Sequence, residues 1–587
     1  MTAMRAILFI GSLLISTCVL AQAPAPAKLD GVWGASRHFG PEARGTLEIT
    51  RSQGAWRARI ASFSVEPKVQ GKRVSFSLPD EQGSFDGALE ANDTTIRGFW
   101  VQPPTVSSGM KYSTPVVLRM DATRNTWRGE VVPLDDDFTF YLVFSANPDG
   151  STAAFIRNPD RNLGYFWRAE RLDRSGDQVK LVGKFRGRGD DRVFGEGVYR
   201  AEDKVLSLYF SGRGGTYDFA PISPNSPFHA RAPGNEFKYT PPVNANDGWK
   251  TGTLDDVGMR LAPIAEFVRV ATPDPRTVED IDLHGLLIAR HGKLVFEEYF
   301  HDFNRLMTHE TRSAGKVVAS VLVGAAMQRG VKLDTSTRVY DVMMPGVDVD
   351  PLKKQMTLEN LLTMASGYDC DDWAGDRPGS EDHILDDTPD ANFYRYTLQL
   401  PMELPPGKQA IYCSINPNLA GAVVATAAKR PITEMFDEWI ARPMQFGNYQ
   451  LNLQPTGEVY LGGGARFLPR DFMKLGQMAL DGGMWNGRRI MPRDYSLRLG
   501  KPLMTLRQQR PSMHYGYLWW TIDYSYQGRT ITAYFASGNG GQVVVVVPEV
   551  DMVIAAYGGN YNARGGWSVV TEYIPKYVLP AVTDASR

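Results

Sequence analysis

A chain of 587 residues is longer than one hydrophobic core accommodates, so its length predicts two or three domains. Apolar residues make up 43% and charged residues 22%, the proportions of an ordinary soluble globular protein rather than a fibrous or disordered one. A formal net charge of -1 leaves no global field to draw in nucleic acid or an anionic lipid surface.

The N-terminus reads as an export signal. Arg5 precedes an apolar run from Ala6 to Ala21, and Ala21-Gln22-Ala23 puts small residues at the two positions a signal peptidase reads. The run is short for a membrane anchor. Residues 1–23 are therefore expected to be removed, leaving a periplasmic or secreted protein without an integral membrane segment. Cys370 and Cys413 are then the remaining cysteines. In an oxidising compartment they are expected to form a disulfide, the alternative being two unpaired buried thiols.

From residue 24 to 220 the chain alternates apolar and polar residues in short runs, such as Thr46–Thr50, Val74–Leu78, Thr95–Trp100 and Phe138–Phe144. Turn signals such as Gln53-Gly54 and Gln70-Gly71 separate them. The pattern predicts an all-β domain, either a barrel or a sandwich, with no catalytic constellation of its own. Residues 221–246 follow, with six prolines between 221 and 242, and read as an extended linker.

Residues 247–587 mix helices and strands, which predicts an α/β domain. Gly285–Arg290 and Leu294–Phe300 flank the turn His291-Gly292-Lys293 and predict a hairpin. A helix is expected from Ser313 to about Arg329, closed by Gly330. Thr357 and Asn360 mark the N-cap and third residue of a short amphipathic helix. Helices are also expected over Pro417–Ala428 and Ile432–Ile440. The apolar runs Gln542–Pro548 and Met552–Ala556 predict strands, so strands stand at both ends of this domain with helices between. That arrangement predicts one sheet built from the two ends.

Ser313-Ala314-Gly315-Lys316 is an S-x-x-K tetrapeptide at a helix start. Residues three apart share a helix face, so the serine hydroxyl is expected beside the lysine amine. A serine needs a base to become a nucleophile, and a desolvated lysine serves as one. Alone, the tetrapeptide recurs by chance. It is followed by Leu361-Leu362-Thr363-Met364-Ala365-Ser366-Gly367, by Pro406-Gly407-Lys408-Gln409-Ala410-Ile411-Tyr412-Cys413-Ser414, and by His514-Tyr515-Gly516-Tyr517-Leu518-Trp519-Trp520. Together these stretches resemble the β-lactamase-related serine hydrolases, which include class C β-lactamases, D-alanyl peptidases, family VIII esterases and aminohexanoate-oligomer hydrolases. The resemblance covers about residues 250 to 580 and leaves the first half unmatched.

The resemblance implies a β-lactamase/transpeptidase-like fold and an acyl-enzyme mechanism that needs no cofactor and no metal. It implies Ser313 as nucleophile, with Lys316 and Tyr412 handling its proton, and Ser414 where asparagine is commoner. Ala536-Ser537-Gly538 matches the triplet on a C-terminal strand, so Ser537, Gly538 and Asn539 are expected to line the substrate, with the N–H groups of Ser313 and Asn539 forming an oxyanion hole. A lysine cation beside Tyr412 is expected to ease deprotonation of the phenol. A Cys370–Cys413 bridge is expected to clamp the Tyr412 loop. Ala536 stands where the family often carries Lys or His, the cation that holds a substrate carboxylate; Arg466 or Arg564 are the candidate substitutes. A small ester or amide without that carboxylate is therefore the expected substrate, ahead of peptides and β-lactams. The competing reading is a protein that keeps the fold, has lost turnover, and binds a cell-wall fragment or a protein partner.

Overall fold

The computed structural model describes residues 29–583, except 92, 105–108, 122–124, 135–136, 159–166, 186, 212, 233, 273–282, 388–389, 508–512 and 562–563. The expected export signal lies outside the described residues. Among those described, no helix is long and apolar enough to cross a membrane.

The all-β half contains two bodies. One is a closed barrel of eight strands, in which Gly31–His38 pairs along its length with Asp137–Ala146 and at Trp33 and Gly34 with the last strand, Gly215–Pro221. Closure satisfies every edge. The alternation Phe138, Phe140, Leu142, Phe144 turns one side of a strand inward, where these residues pack with Leu181, Leu208 and Phe219. The other body is an open antiparallel sheet inserted between the first and second barrel strands, from Gly45–Ser52 to Thr126–Val131. Its core gathers Leu47, Ile49, Phe85, Trp100, Leu118 and Trp127.

That open sheet does not stop at the domain boundary. Its longest strand, Lys111–Asp121, pairs through Lys111, Tyr112 and Ser113 with Leu453, Asn452 and Leu451 of the strand Tyr449–Leu453, far along the chain. The residues between the two halves run without helix or strand from 222 to 249 and pack on the second half: Tyr239 donates to the Val295 carbonyl at 2.8 Å, and Arg231 pairs with Glu298 at 2.7 Å.

The second half is built on the eight-stranded sheet that its two ends predict. Its order runs Lys250–Thr251, Lys293–Tyr299, Leu283–Arg290, Met552–Gly558, Gln542–Val547, Arg529–Gly538, Trp520–Tyr526, Met513–Tyr515. The central strands read as continuous apolar runs because both faces are covered. The helices Val317–Gln328 and Ile415–Ala428 are made of small and aliphatic residues all round, the pattern of a helix enclosed on every side, and they are buried against one another. Gly330, at φ +77°, closes the first as expected, with Val331 N–H bonding back to the Ala326 carbonyl. Thr357 and Asn360 form a reciprocal capping box.

Candidate active site

The backbone around Ser313 departs from expectation in a useful way. The α-helix begins at Val317, and Arg312–Lys316 is a tight 3-10 turn instead. In a 3-10 turn, side chains three apart eclipse. The Lys316 ammonium accordingly donates to the Ser313 hydroxyl oxygen at 2.9 Å, and to the Gly462 carbonyl at 2.6 Å. Ser313 is half-buried and Lys316 fully buried. Arg312, immediately before Ser313, has φ +47°, a left-handed conformation that costs about 1–3 kcal/mol for a residue with a side chain. Its carbonyl is tied to Gly464 N–H at 3.1 Å, and its guanidinium lies 3.1 Å from Glu310 and 5.0 Å over the Tyr561 ring.

Two further segments close on this turn. Gly538, at the end of the strand Arg529–Gly538, abuts it so closely that a side chain there would collide with the Thr311 carbonyl and Arg312. Asn539, next along, is exposed, while Ser537 is buried within the strand. On the other side the loop Gly462-Gly463-Gly464 lies against Arg312 and Ser313. Gly463, at φ +142°, leaves no room for a side chain beside the Arg312 carbonyl. Asn452, buried in the strand that pairs with the N-terminal sheet, donates to the Gly463 carbonyl at 2.8 Å.

Tyr412 completes the group. The Lys316 ammonium stands 5.0 Å from its ring centroid, and the phenol interacts electrostatically with Lys316 and with Ser313. The expected bridge between Cys370 and Cys413 is present. It ties the Tyr412 segment to Asp371-Asp372-Trp373, and Asp372 N–H also bonds the Tyr412 carbonyl at 3.1 Å. Cys370, Asp372 and Cys413 cluster at metal-ligand distance, but joined sulfurs offer no thiolate.

The electrostatics add burial to the expected pull of the lysine. Burial works to lower the Lys316 pKa, but the negative poles of Tyr412, Glu381 and Asp372 outweigh it and hold the ammonium above its ordinary value. Burial raises the Tyr412 phenol; Lys316 and the Ser313 hydrogen bond pull it down without cancelling the rise, to which Asp372 and Glu381 add. The resting pair is therefore ammonium and neutral phenol, and the lysine alone does not make Tyr412 easy to ionise.

Ser414 also differs from expectation. It is fully buried, and both its N–H and its hydroxyl donate to Asp372, at 2.8 and 2.7 Å. Asp372 accepts a third bond from Glu381 N–H at 3.0 Å. Burial first, and the Glu381 charge second, push the Asp372 carboxyl up to about 7. Glu381 in turn accepts the Tyr460 hydroxyl at 2.8 Å. Sequence reasoning did not find Asp372, Glu381 or Asn452. The one usable signal was the placement of Asp371-Asp372 directly after Cys370.

Ala536 is buried in its strand and supplies no charge. Arg466 lies across the ladder from Glu310 and donates to the Thr308 carbonyl at 3.3 Å; the Arg564 side chain lies outside the described residues. A cavity of about 500 Å³ opens where the barrel, the open sheet and the second half meet, lined by Asp137, Tyr141, Met307, Glu310, Arg466 and Tyr561 among others, and does not include Ser313.

The chain is similar to several solved structures at low identity. A candidate 6-aminohexanoate-dimer hydrolase from Bacillus anthracis is 16% identical, with 65% of this chain and 92% of that one covered and a TM-score of 0.42. A penicillin binding protein from Bacillus halodurans is 17% identical, covering 49% and 94%, with a TM-score of 0.38. EstCE1, a hydrolase with promiscuous acyltransferase activity, is 16% identical, covering 55% and 99%, with a TM-score of 0.41. No curated protein matches the chain. The Beta-lactamase family profile matches residues 281–558, the stretch that carries the S-x-x-K turn, the Tyr412 segment and the Gly538 strand, and this part of the chain is a domain of the Beta-lactamase family.

Proposed function

We propose that the protein is an exported serine hydrolase that cleaves small uncharged esters or amides through an acyl-enzyme on Ser313. The observation that carries this is the 2.9 Å hydrogen bond from the buried Lys316 to the Ser313 oxygen, with the Tyr412 ring 5.0 Å from the same ammonium. Turnover starts when the Lys316–Tyr412 pair has given up one of its two protons. The pair then takes the Ser313 proton as the oxygen bonds to the substrate carbonyl carbon. The N–H groups of Ser313 and Asn539 would hold the resulting oxyanion, a role that fits the position of Gly538 against the nucleophile turn. Tyr412 returns the proton to the leaving oxygen or nitrogen as its bond to carbon breaks. A water molecule, losing a proton to the same pair, then releases the acid and frees Ser313.

The absence of a side-chain cation at Ala536 supports an uncharged substrate over a β-lactam or a peptide carboxylate. Arg312, although adjacent to Ser313, is engaged by Glu310 and Tyr561. The test is the intact mass of the mature protein after mixing with p-nitrophenyl acetate, beside Ser313→Ala. A single acetyl adduct or turnover confined to the wild type is the expected result. Equal signal in both proteins would assign the chemistry elsewhere, and silence in both would return the protein to a binding role.

A further inference from the structure

Trp373 is an exposed tryptophan, with 49% of its surface accessible. It stands where exposure is costly to maintain unless used, because its ring stacks on Tyr412, with centroids 5.6 Å apart and planes at 14°. Trp520 stacks on Tyr412 as well, at 5.5 Å and 24°, so the phenol sits in a continuous column of rings whose outermost member is Trp373. The disulfide holds this register: Cys370 is three residues before Trp373 and Cys413 directly follows Tyr412. Asp371 fixes the turn by accepting Trp373 N–H at 3.0 Å. The indole is thus a rigid flat surface cross-linked to the residue that handles the proton.

We propose that Trp373 determines specificity, selecting substrates whose leaving group carries an uncharged aromatic ring. This rests on the hydrolase reading, in which Tyr412 protonates the leaving atom. A leaving group whose oxygen or nitrogen meets the Tyr412 hydroxyl has the exposed indole one ring-stack away. Aromatic groups gain from stacked or edge contacts there beyond the area they bury. The carboxyl groups of Asp372 and Glu381, which act on Tyr412 electrostatically, disfavour a leaving group that bears negative charge.

The experiment compares two acetate esters of primary alcohols, 2-phenylethyl acetate and ethyl acetate, on the full chain with Trp373, Trp373→Phe, Trp373→Leu and Trp373→Ala. Acyl group and leaving-group type stay constant, so the ratio of kcat/KM reads recognition of the ring. The wild type is expected to prefer the phenylethyl ester. Alanine and leucine lower that preference about tenfold, mainly through KM, and phenylalanine restores most of it. In parallel, binding of 2-phenylethanol to Ser313→Ala is measured by saturation-transfer NMR with and without Trp373→Ala. Weaker binding without the indole supports the aromatic subsite. An unchanged ester ratio together with unchanged alcohol binding overturns it. Should neither ester show Ser313-dependent turnover, the hydrolase reading fails, and the alcohol-binding comparison decides the subsite on its own.

Discussion

Replacing Gly538 with alanine tests the contact between the C-terminal strand and the nucleophile turn. A Cβ at this position would stand 3.1 Å from Arg312 Cβ and 2.9 Å from Ala314 N, and would overlap the Thr311 carbonyl oxygen. Carbon atoms rest at about 3.5–4.0 Å, and the Thr311 oxygen is nearer still, so strand and turn must separate by about 1 Å or more. Two of the three obstacles are backbone atoms, and no rotamer relieves them. In the proposed mechanism, a displacement of that size between the oxyanion donors and Ser313 can cost about 100-fold in rate, near 2.7 kcal/mol in the barrier. Overpacking adds about 1–3 kcal/mol to the loss of stability. The assay is kcat for p-nitrophenyl acetate, with a thermal melt of the same sample to show that the variant is folded. A Gly538→Ala protein with wild-type kcat would refute the argument, whatever its melting midpoint, because the strand would then have moved without consequence for the reaction.

Other outcomes follow from the same geometry. Lys316 and Tyr412 both have raised pKa values, so the singly deprotonated pair is scarce at neutral pH and kcat/KM should climb as pH rises from about 6 to 9; a flat profile would place the base elsewhere. Asn452→Leu removes the buried bond to the Gly463 carbonyl and should lower kcat more than it raises KM, at a stability cost of about 1–3 kcal/mol; an unaltered kcat would make that bond merely structural. Cys370→Ser should cost about 4 kcal/mol in denaturant unfolding, from a sequence separation of 43, and an unchanged midpoint would count against the loop-entropy account. Asp372, pushed up to about 7, binds a proton more readily folded than unfolded. The stability it contributes is full below about pH 4 and is lost as pH rises through 7, so Asp372→Asn should flatten that limb in thermal melts; an unchanged slope would refute it.

Features governed by local rules were readable in the sequence. The hairpin 285–300, the Thr357–Asn360 box and the Gly330 cap each depend on a few adjacent residues, and each is found. The sheet made from both ends was readable because its runs are apolar on both faces. The division of the first half into a closed barrel and an inserted open sheet was not. Alternation tells which side of a strand is buried but not which strand lies beside it, and Gly31–His38 pairs with residues about a hundred positions away. At the site, the S-x-x-K spacing placed Ser313 and Lys316 together, although the turn that does so is 3-10. The state of Tyr412 was beyond reach, because it depends on two partly buried carboxyl groups brought in by folding.

The pairing of Lys111–Ser113 with Leu451–Leu453 has a consequence for any attempt to cut the protein at the Pro-rich stretch. Removing the first half would strip the Lys111–Ser113 partners from Leu451–Leu453 and leave one side of that strand as an open sheet edge, flanked by buried apolar side chains. Such an edge recruits whatever strand is at hand, commonly another copy of itself. The N-terminal half thus covers an edge that would otherwise invite self-association, and the second half expressed alone should come out of the cell as aggregate.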